Sequence, residues 1–283
     1  MADEIHSSEL DRDEILTLES PRFSPDRVAI VTGAGSGIGR ATALSLAHNR
    51  LTVVATDVDE EGLEETERRK EELDLRGAIE TVAGDLTDDG DVESIVTAAS
   101  ELGEITYLAN IAGFQHVAPL EEFPMETYDA MQRVMVRAPT LLTKHCLPHM
   151  RGGEEPAGVV ANMCSIHGHY VTRDKVAYNT AKFAIRGLTQ SIAAEGDGDV
   201  RSFSVSTAYV KTPLVVNQIA DTAQQRGISE REVVEKVMLE EARTTELMDP
   251  IEVANAFAFG LSDHARFLNG ADLLFDGGYT LTY

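Results

Sequence analysis

Three side chains between Ser165 and Lys182, in SIHGHYVTRDKVAYNTAK, could do acid–base chemistry together: a serine, a tyrosine thirteen positions on, and a lysine four beyond that. If Ala177 to Ala194 is a helix, positions four apart stack on one face, so the Tyr178 phenol and the Lys182 ammonium point into the same space. A free phenol titrates near ~10, too high for proton exchange at neutral pH, and an adjacent cation favours phenolate and lowers that value. Tyr178 would then act as a general acid or base, with Ser165 hydrogen-bonding the oxygen that gains or loses the proton. On this stretch alone an ordinary surface tyrosine and lysine fits equally well, because YxxxK recurs by chance.

A second signal lies upstream, in the element that would bring a cofactor to such a triad. Arg27 to Thr32, RVAIVT, is a short β-branched run that enters TGAGSGIGRATALSLA without a spacer. Strand, glycine turn and helix in that order make the phosphate-binding entry of a dinucleotide fold, with backbone N–H groups at the helix start facing an anion. The glycines read TGxxxGxG. Gly33 allows the tight turn, Gly37 the close approach of a pyrophosphate, and Gly39 close packing of helix on strand. Leu51 to Thr56, LTVVAT, reads as a second strand ending at Asp57. An acid roughly 20 residues beyond the glycines accepts hydrogen bonds from the adenosine ribose and repels the 2′-phosphate of NADP, which favours NAD. The plain alternative is a loop acid in an acid-rich chain.

The remaining elements alternate. Glu60 to Leu75 is a charged helix; Ala78 to Ala83 is a third strand, followed by GDLTD with Asp85 and Leu86 at its carboxyl end. Asp91 to Leu102 gives another helix, and Ile105 to Asn110 a fourth strand that ends in NIAGFQHVAPLEEFP, where Gly113 permits backbone approach to a cofactor. Met125 to His149 is a long helical stretch with a kink expected at Pro139. Gly158 to Met163 is the fifth strand and delivers Ser165 to its tip, and Val200 to Val205 is the sixth. Thr212 to Arg243 reads as a helical excursion bent at Gly227, suited to a lid over a small substrate. Pro250 starts another helix, and Ala271 to Phe275 is the last strand before DGGYTLTY. The pattern predicts an α/β fold, a Rossmann-type doubly wound parallel sheet in a single domain, residues 26–283, with a helical substrate lid at about 212–243.

Composition sets limits on partners. The 283 residues carry 24 basic and 48 acidic side chains, a formal charge of −24. That charge repels phosphate backbones and anionic membranes, so neither nucleic acid nor a membrane is expected as a partner. The acids are scattered along the chain, which fits a salt-adapted cytoplasmic protein whose surface needs ionic strength to screen self-repulsion. Cys146 and Cys164 show no CxxC spacing and suggest buried thiols, with no metal site and no disulfide framework. The first 25 residues, MADEIHSSELDRDEILTLESPRFSP, are acidic and lack an apolar signal core. They read as a mobile tail, with Ile15, Leu16 and Leu18 as the residues that would dock if any did.

Taken together, TGAGSGIG, Asp57, Asp85, and Ser165 with Tyr178 and Lys182 resemble the short-chain dehydrogenase/reductase family in order and spacing over about Arg27 to Tyr283. The resemblance implies cofactor contacts from Gly33, Ser36, Gly37, Ile38 and Gly39 in the turn. It implies others from Asp57, Asp85, Leu86, Asn110 and Gly113, and from the catalytic Tyr178 and Lys182. Within the family, QHVAPLEEFP, the SxH of Ser165 and His167, TPLVVNQI, GISE and DGGY look like the NAD-dependent (R)-3-hydroxybutyrate dehydrogenases. In those enzymes the positions matching Gln115, His167, Lys175 and Gln218 hold the substrate carboxylate, Ser165 and Tyr178 meet the reacting oxygen, and Lys182 binds the nicotinamide ribose. A lysine and a protonated histidine would give the carboxylate charge-assisted hydrogen bonds. The family is usually tetrameric, which implies a homotetramer.

The chain also departs from the family pattern. Ile111 stands in the usual NNAG, Met135 where an asparagine commonly extends a proton relay, and Thr207-Ala208 where Pro-Gly is usual. These departures sustain one rival, a cofactor-binding module that has lost catalysis and acts through assembly or sensing; a second enzyme reading is a related reductase of a sugar or an acyl carrier.

Overall fold

The computed structural model describes residue 5, residues 10–151 and residues 158–281. Seven strands form one sheet: β1 (Arg27–Thr32), β2 (Thr52–Asp57), β3 (Ala78–Ala83), β4 (Glu104–Asn110), β5 (Gly158–Met163), β6 (Val200–Thr207) and β7 (Ala271–Phe275). Their order is β3-β2-β1-β4-β5-β6-β7, and every neighbouring pair runs parallel. Parallel pairing requires a crossover between strands. Those crossovers carry α1 (Gly37–His48), α2 (Glu60–Glu72), α3 (Asp89–Leu102), α4 (Met125–Gln132), α5 (Ala138–Arg151) and α6 (Val176–Glu195), and later in the chain α9 (Pro250–Leu261).

Both faces of the sheet are covered, and side chains of one strand divide between them with period two. In β1, Ala29 and Val31 join the core that includes Leu44 and Leu46 of α1 and Phe257 of α9. Val28 and Ile30 join the opposite core with Ile95 of α3 and Leu142 of α5. Double coverage is why the central strands β1 and β2 carry the apolar runs VAIV and VVA, whereas the edge strands β3 and β7 are largely exposed, and each fully buried aliphatic contributes on the order of 1.5–3 kcal/mol. The winding reverses between β1 and β4, so their carboxyl ends part and leave a crevice there.

Beyond β6 the chain forms α7 (Pro213–Arg226), α8 (Glu230–Val233) and a π-helical turn, Val234–Met238. These pack a small core of their own around Ile219, Val233, Met238 and Leu247. Gly227 closes α7 in the left-handed region, with φ 65°, at the expected bend. The two ends of the excursion are tied together. The Lys211 amide donates to the Met248 carbonyl at 2.8 Å, and the Lys211 ammonium pairs with Asp249 at 3.0 Å.

Two expectations are corrected. The helical stretch from Met125 is interrupted by a π-helical turn at Arg133–Arg137, so the irregularity precedes Pro139, which is the second residue of α5. Of residues 1–25, expected to be a mobile tail, residues 1–4 and 6–9 lie outside the described residues, while residues 10–25 pack on the body, with Ile15 and Phe23 each 4 % exposed and Leu16 facing out. Of the residues named as those that would dock, Ile15 enters the core and Leu18 packs against it, joined by Phe23 and Leu10.

Candidate active site

The glycine turn at the end of β1 is shaped by what a side chain would strike. A Cβ on Gly33 (φ +70°) would come within 2.8 Å of the Ala112 backbone, and one on Gly39 within 1.9 Å of the Gly33 carbonyl. The Thr32 hydroxyl fixes the neighbouring loop, accepting from the amides of Ile111 at 2.9 Å and Ala112 at 3.1 Å. Asp57 at the tip of β2 accepts from the Gly35 amide at 2.9 Å and from the Asp59 amide at 3.1 Å. The carboxylate is thereby fixed beside the turn, next to the space an adenosine ribose would enter.

A cavity of about 510 Å³ runs from this turn and Asp57 to Ser165, Tyr178 and Lys182. Ser165 lies just beyond β5 and is 6 % exposed. Tyr178 and Lys182, in the first two turns of α6, share the expected face, with the ammonium 5.3 Å from the ring centroid. Lys182 donates to the Met163 carbonyl at 2.9 Å. Burial pulls its ammonium down to about 8, with the Cys164 thiol opposing. Burial pushes the Tyr178 phenol up to about 12; a hydrogen bond from Ser165 works in the lowering direction and Cys164 in the raising one. The sequence-based expectation that Lys182 sets the phenol's acidity is therefore corrected: desolvation is the largest cause of the shift, and the group that lowers the value is Ser165.

The cavity gathers most of the residues chosen from the sequence. Gly33, Ser36, Gly37, Ile38 and Gly39 line it, as do Asp57, Asp85, Leu86 and Gly113. Asn110 does not. Its side chain is buried and donates to Asn162 Oδ1 at 2.9 Å, across the β4–β5 register. Gln115, His167, Lys175 and Gln218 also stand outside the lining. Gln218 lies a turn beyond Leu214 and Val215, which are part of it. His167 sits in a short 3-10 turn, Ile166–Gly168, with its Nε2 3.0 Å from the Thr172 hydroxyl and its ring edge-to-face with Tyr178 at 5.6 Å. Burial, and then the charges of Lys175 and Lys182, pull this imidazole down to about 3, so it is neutral and not the cation the sequence suggested. Lys175, the N-cap residue of α6, is 8 % exposed, and burial pulls it down to about 8.

Sequence reasoning missed Val58, Thr87, Phe114, Met163, Val210 and Thr212, which also line the cavity. Most are apolar or contribute backbone, and no motif marks them. Thr212 had a readable signal: a threonine before a proline at a helix start, and its hydroxyl caps α7 by accepting from the Val215 amide at 3.4 Å. Among the described residues no cluster of metal-ligating side chains occurs, and no helix is long and apolar enough to cross a membrane.

A turn with no room for side chains at Gly33 and Gly39, a carboxylate at the tip of β2 and a tyrosine–lysine pair at the far end fit a nicotinamide dinucleotide. Fold and site define a dehydrogenase class, and the comparisons agree. The chain belongs to the short-chain dehydrogenase/reductase family of NAD(P)-dependent oxidoreductases. A family model described as enoyl-(acyl carrier protein) reductase matches residues 33–280. A D-beta-hydroxybutyrate dehydrogenase of Rhizobium meliloti (strain 1021) is 30 % identical over 267 residues, covering 90 % of this chain and 98 % of that protein. A cis-4-hydroxycyclohexanecarboxylate dehydrogenase of Sinomonas cyclohexanicum is 34 % identical over 258 residues, covering 90 % and 97 %. The crystal structure of a levodione reductase superposes with a TM-score of 0.83 at 31 % identity, covering 92 % of this chain and all of that one.

Proposed function

We propose that the chain interconverts (R)-3-hydroxybutyrate and acetoacetate with NAD as its cofactor. The observation that carries the substrate half is Lys175. It is almost fully buried, desolvation disfavours its charge, and no carboxylate pairs with it among the described residues. A buried ammonium is stable only beside an anion, and the carboxylate of a small hydroxy acid would supply one. Lys175 stands three residues before Tyr178 at the start of α6, and its charge lowers His167, whose ring abuts Tyr178, which supports an anion site near the reacting oxygen. Gln115 and the lid residue Gln218 would complete the carboxylate shell as α7 closes. Asp57 at the tip of β2, beside the glycine turn, supports NAD over NADP, because a carboxylate there would accept from a ribose hydroxyl and repel a 2′-phosphate.

A dinucleotide held at the glycine turn would supply the hydride acceptor through its nicotinamide at the other end of the cavity. The protein's own task is to position and to move a proton. Ser165, whose hydroxyl lowers the value of the phenol, would hold the substrate oxygen against it. Tyr178 would take the hydroxyl proton in oxidation and return it in reduction. Lys182, anchored on Met163, would meet the nicotinamide ribose and support the phenolate when it forms.

Hydroxy acids bearing a ring are the second reading. The Sinomonas relative favours it, and Lys175 would serve their carboxylate equally. Assembly as a homotetramer and a cytoplasmic, high-salt setting are part of the proposal, supported by the family's habit and by the −24 charge. NADH formation should be followed with linear and cyclic hydroxy acids, with NAD and NADP, at several salt concentrations. The proposal expects preference for (R)-3-hydroxybutyrate with NAD. Turnover only of substrates without a carboxylate would overturn it.

A further inference from the structure

Between α1 and α9 runs a groove that holds an extended segment by its backbone. Asn49, at the end of α1, accepts from the Leu18 amide at 2.7 Å and donates to the Leu16 carbonyl at 2.9 Å. Asn255, on α9, accepts from the Leu16 amide at 2.9 Å and donates to the Glu14 carbonyl at 2.9 Å. Two side-chain amides thus do for this segment what an adjacent strand does in strand addition. They take both polar groups of Leu16 and one each from its neighbours.

Side chains add selectivity on either side. The Ser20 hydroxyl donates to Asp263 at 2.8 Å, and the Asp263 amide donates back to it at 3.2 Å. Arg22 Nε meets the same carboxylate at 2.6 Å. Phe23 stands edge-on to Tyr107 at 5.5 Å, and the Tyr107 hydroxyl reaches the Arg22 carbonyl at 3.3 Å. None of these groups lines the cofactor cavity, and the segment precedes residues 33–280, the part that matches the family model.

We infer that the α1–α9 groove is a recognition site for a peptide extended over residues 16–20 between a 3-10 turn at Arg12–Glu14 and a turn at residues 21–22, and that this chain's own residues 10–24 are its ligand, a separable clamp read by Asn49 and Asn255. The ligand it selects has apolar residues at positions equivalent to 15 and 23, a hydroxyl at 20 and a cation at 22. The clamp ties the end of α1, whose first residue is Gly37 of the phosphate turn, to the helix packed along it.

Amide hydrogen exchange on the full-length chain tests this, comparing wild type with the double variant Asn49→Ala/Asn255→Ala. Leu16 and Leu18 amides should be protected at least tenfold over a free peptide of residues 10–24. That protection should vanish in the double variant while β4 and β5 amides are unchanged. If the double variant loses core protection as well, Asn255→Ala alone carries the comparison through the Leu16 amide. In a second experiment, a protease site placed at Pro25 of the folded full-length protein is cut. The released segment should co-elute with the body in gel filtration, and separate from it in the variant. Exchange of Leu16 and Leu18 at the free-peptide rate, or protection indifferent to both asparagines, would overturn the inference. Protection that rises with protein concentration would assign the groove to a second copy's segment and would overturn the intramolecular clamp.

Discussion

Lys182 holds its ammonium 5.3 Å from the centre of the Tyr178 ring, and it is anchored there by the Met163 carbonyl. The phenol nonetheless stands at about 12, because burial dominates. At neutral pH Tyr178 therefore keeps its proton and is ready to act as the acid of a carbonyl reduction. Alcohol oxidation needs the phenolate, so its kcat/KM should climb with pH without a plateau below about 12, whereas the reductive direction should not gain. Tyr178→Phe should lower turnover in both directions by about 10²–10⁴-fold, the span expected of a general acid or base, and leave dinucleotide binding within a few-fold by fluorescence titration. Substantial residual turnover would remove the proton-transfer role.

Lys175 carries a stability penalty whose sign can be worked out. Its value falls from 10.5 unfolded to about 8 folded, so below pH 8 the folded chain must hold a charge that its surroundings disfavour. The cost, at about 1.36 kcal/mol per unit, is on the order of 3 kcal/mol at neutral pH and fades as pH rises from 8 towards 10.5. Lys175→Met should accordingly raise the melting temperature at pH 7, with a smaller gain at pH 10. The same substitution should raise KM for a hydroxy acid at least tenfold with little change in KM for the dinucleotide. A variant that melts lower, or binds the acid as before, would deny Lys175 the anion site.

His167 makes the acid limb of stability predictable. It is 4 % exposed and pulled from 6.5 to about 3, so the folded state resists a proton that the unfolded state accepts. Stability should therefore be fully present above pH 6.5 and decline as pH falls towards 3, by about 1.36 kcal/mol per unit from this group. His167→Gln keeps a neutral hydrogen-bonding partner for Thr172 and cannot titrate. Denaturant unfolding at pH 7, 6 and 5 should show a shallower decline for the variant than for wild type.

Some of this architecture is legible in the chain and some is not, for physical reasons. Short β-branched and apolar runs alternating with helical segments mark the strands, most plainly the doubly covered β1 and β2, so all seven could be placed to within about two residues. The glycine turn announces itself because Gly33 and Gly39 tolerate nothing larger, and Tyr178 with Lys182 because helical spacing decides their common face. What the chain hides depends on partners distant in sequence. Asn110 turns to Asn162 because the β4–β5 register sets the two opposite each other. Residues 10–25 dock because Asn49 and Asn255 offer single amides, which no periodicity reveals. The neutral state of His167 and the high value of Tyr178 follow from burial, which appears only once the chain is folded.

Met135 is the departure with the sharpest consequence. It lies in the π-helical turn Arg133–Arg137, is 1 % exposed and packs with Phe123, Met131, Ala177 and Ala181. Its sulfur would stand 3.1 Å from a Cβ on Gly113, so it fills the space between the cofactor loop and the catalytic helix with an apolar chain. A thioether cannot pass protons as an amide can. If Met135 has weakened the path by which Tyr178 recovers its proton, Met135→Asn should raise turnover several-fold. The buried amide should also lower stability by about 1–3 kcal/mol unless it finds a partner. Faster turnover with a lower melting temperature is the expected pair of results. If turnover is unchanged while the melting temperature falls, Met135 is packing alone, and Tyr178 must be resupplied through a backbone carbonyl. The π-helical turn, which replaces i→i+4 bonds with i→i+5 bonds, is then the place to look for that carbonyl.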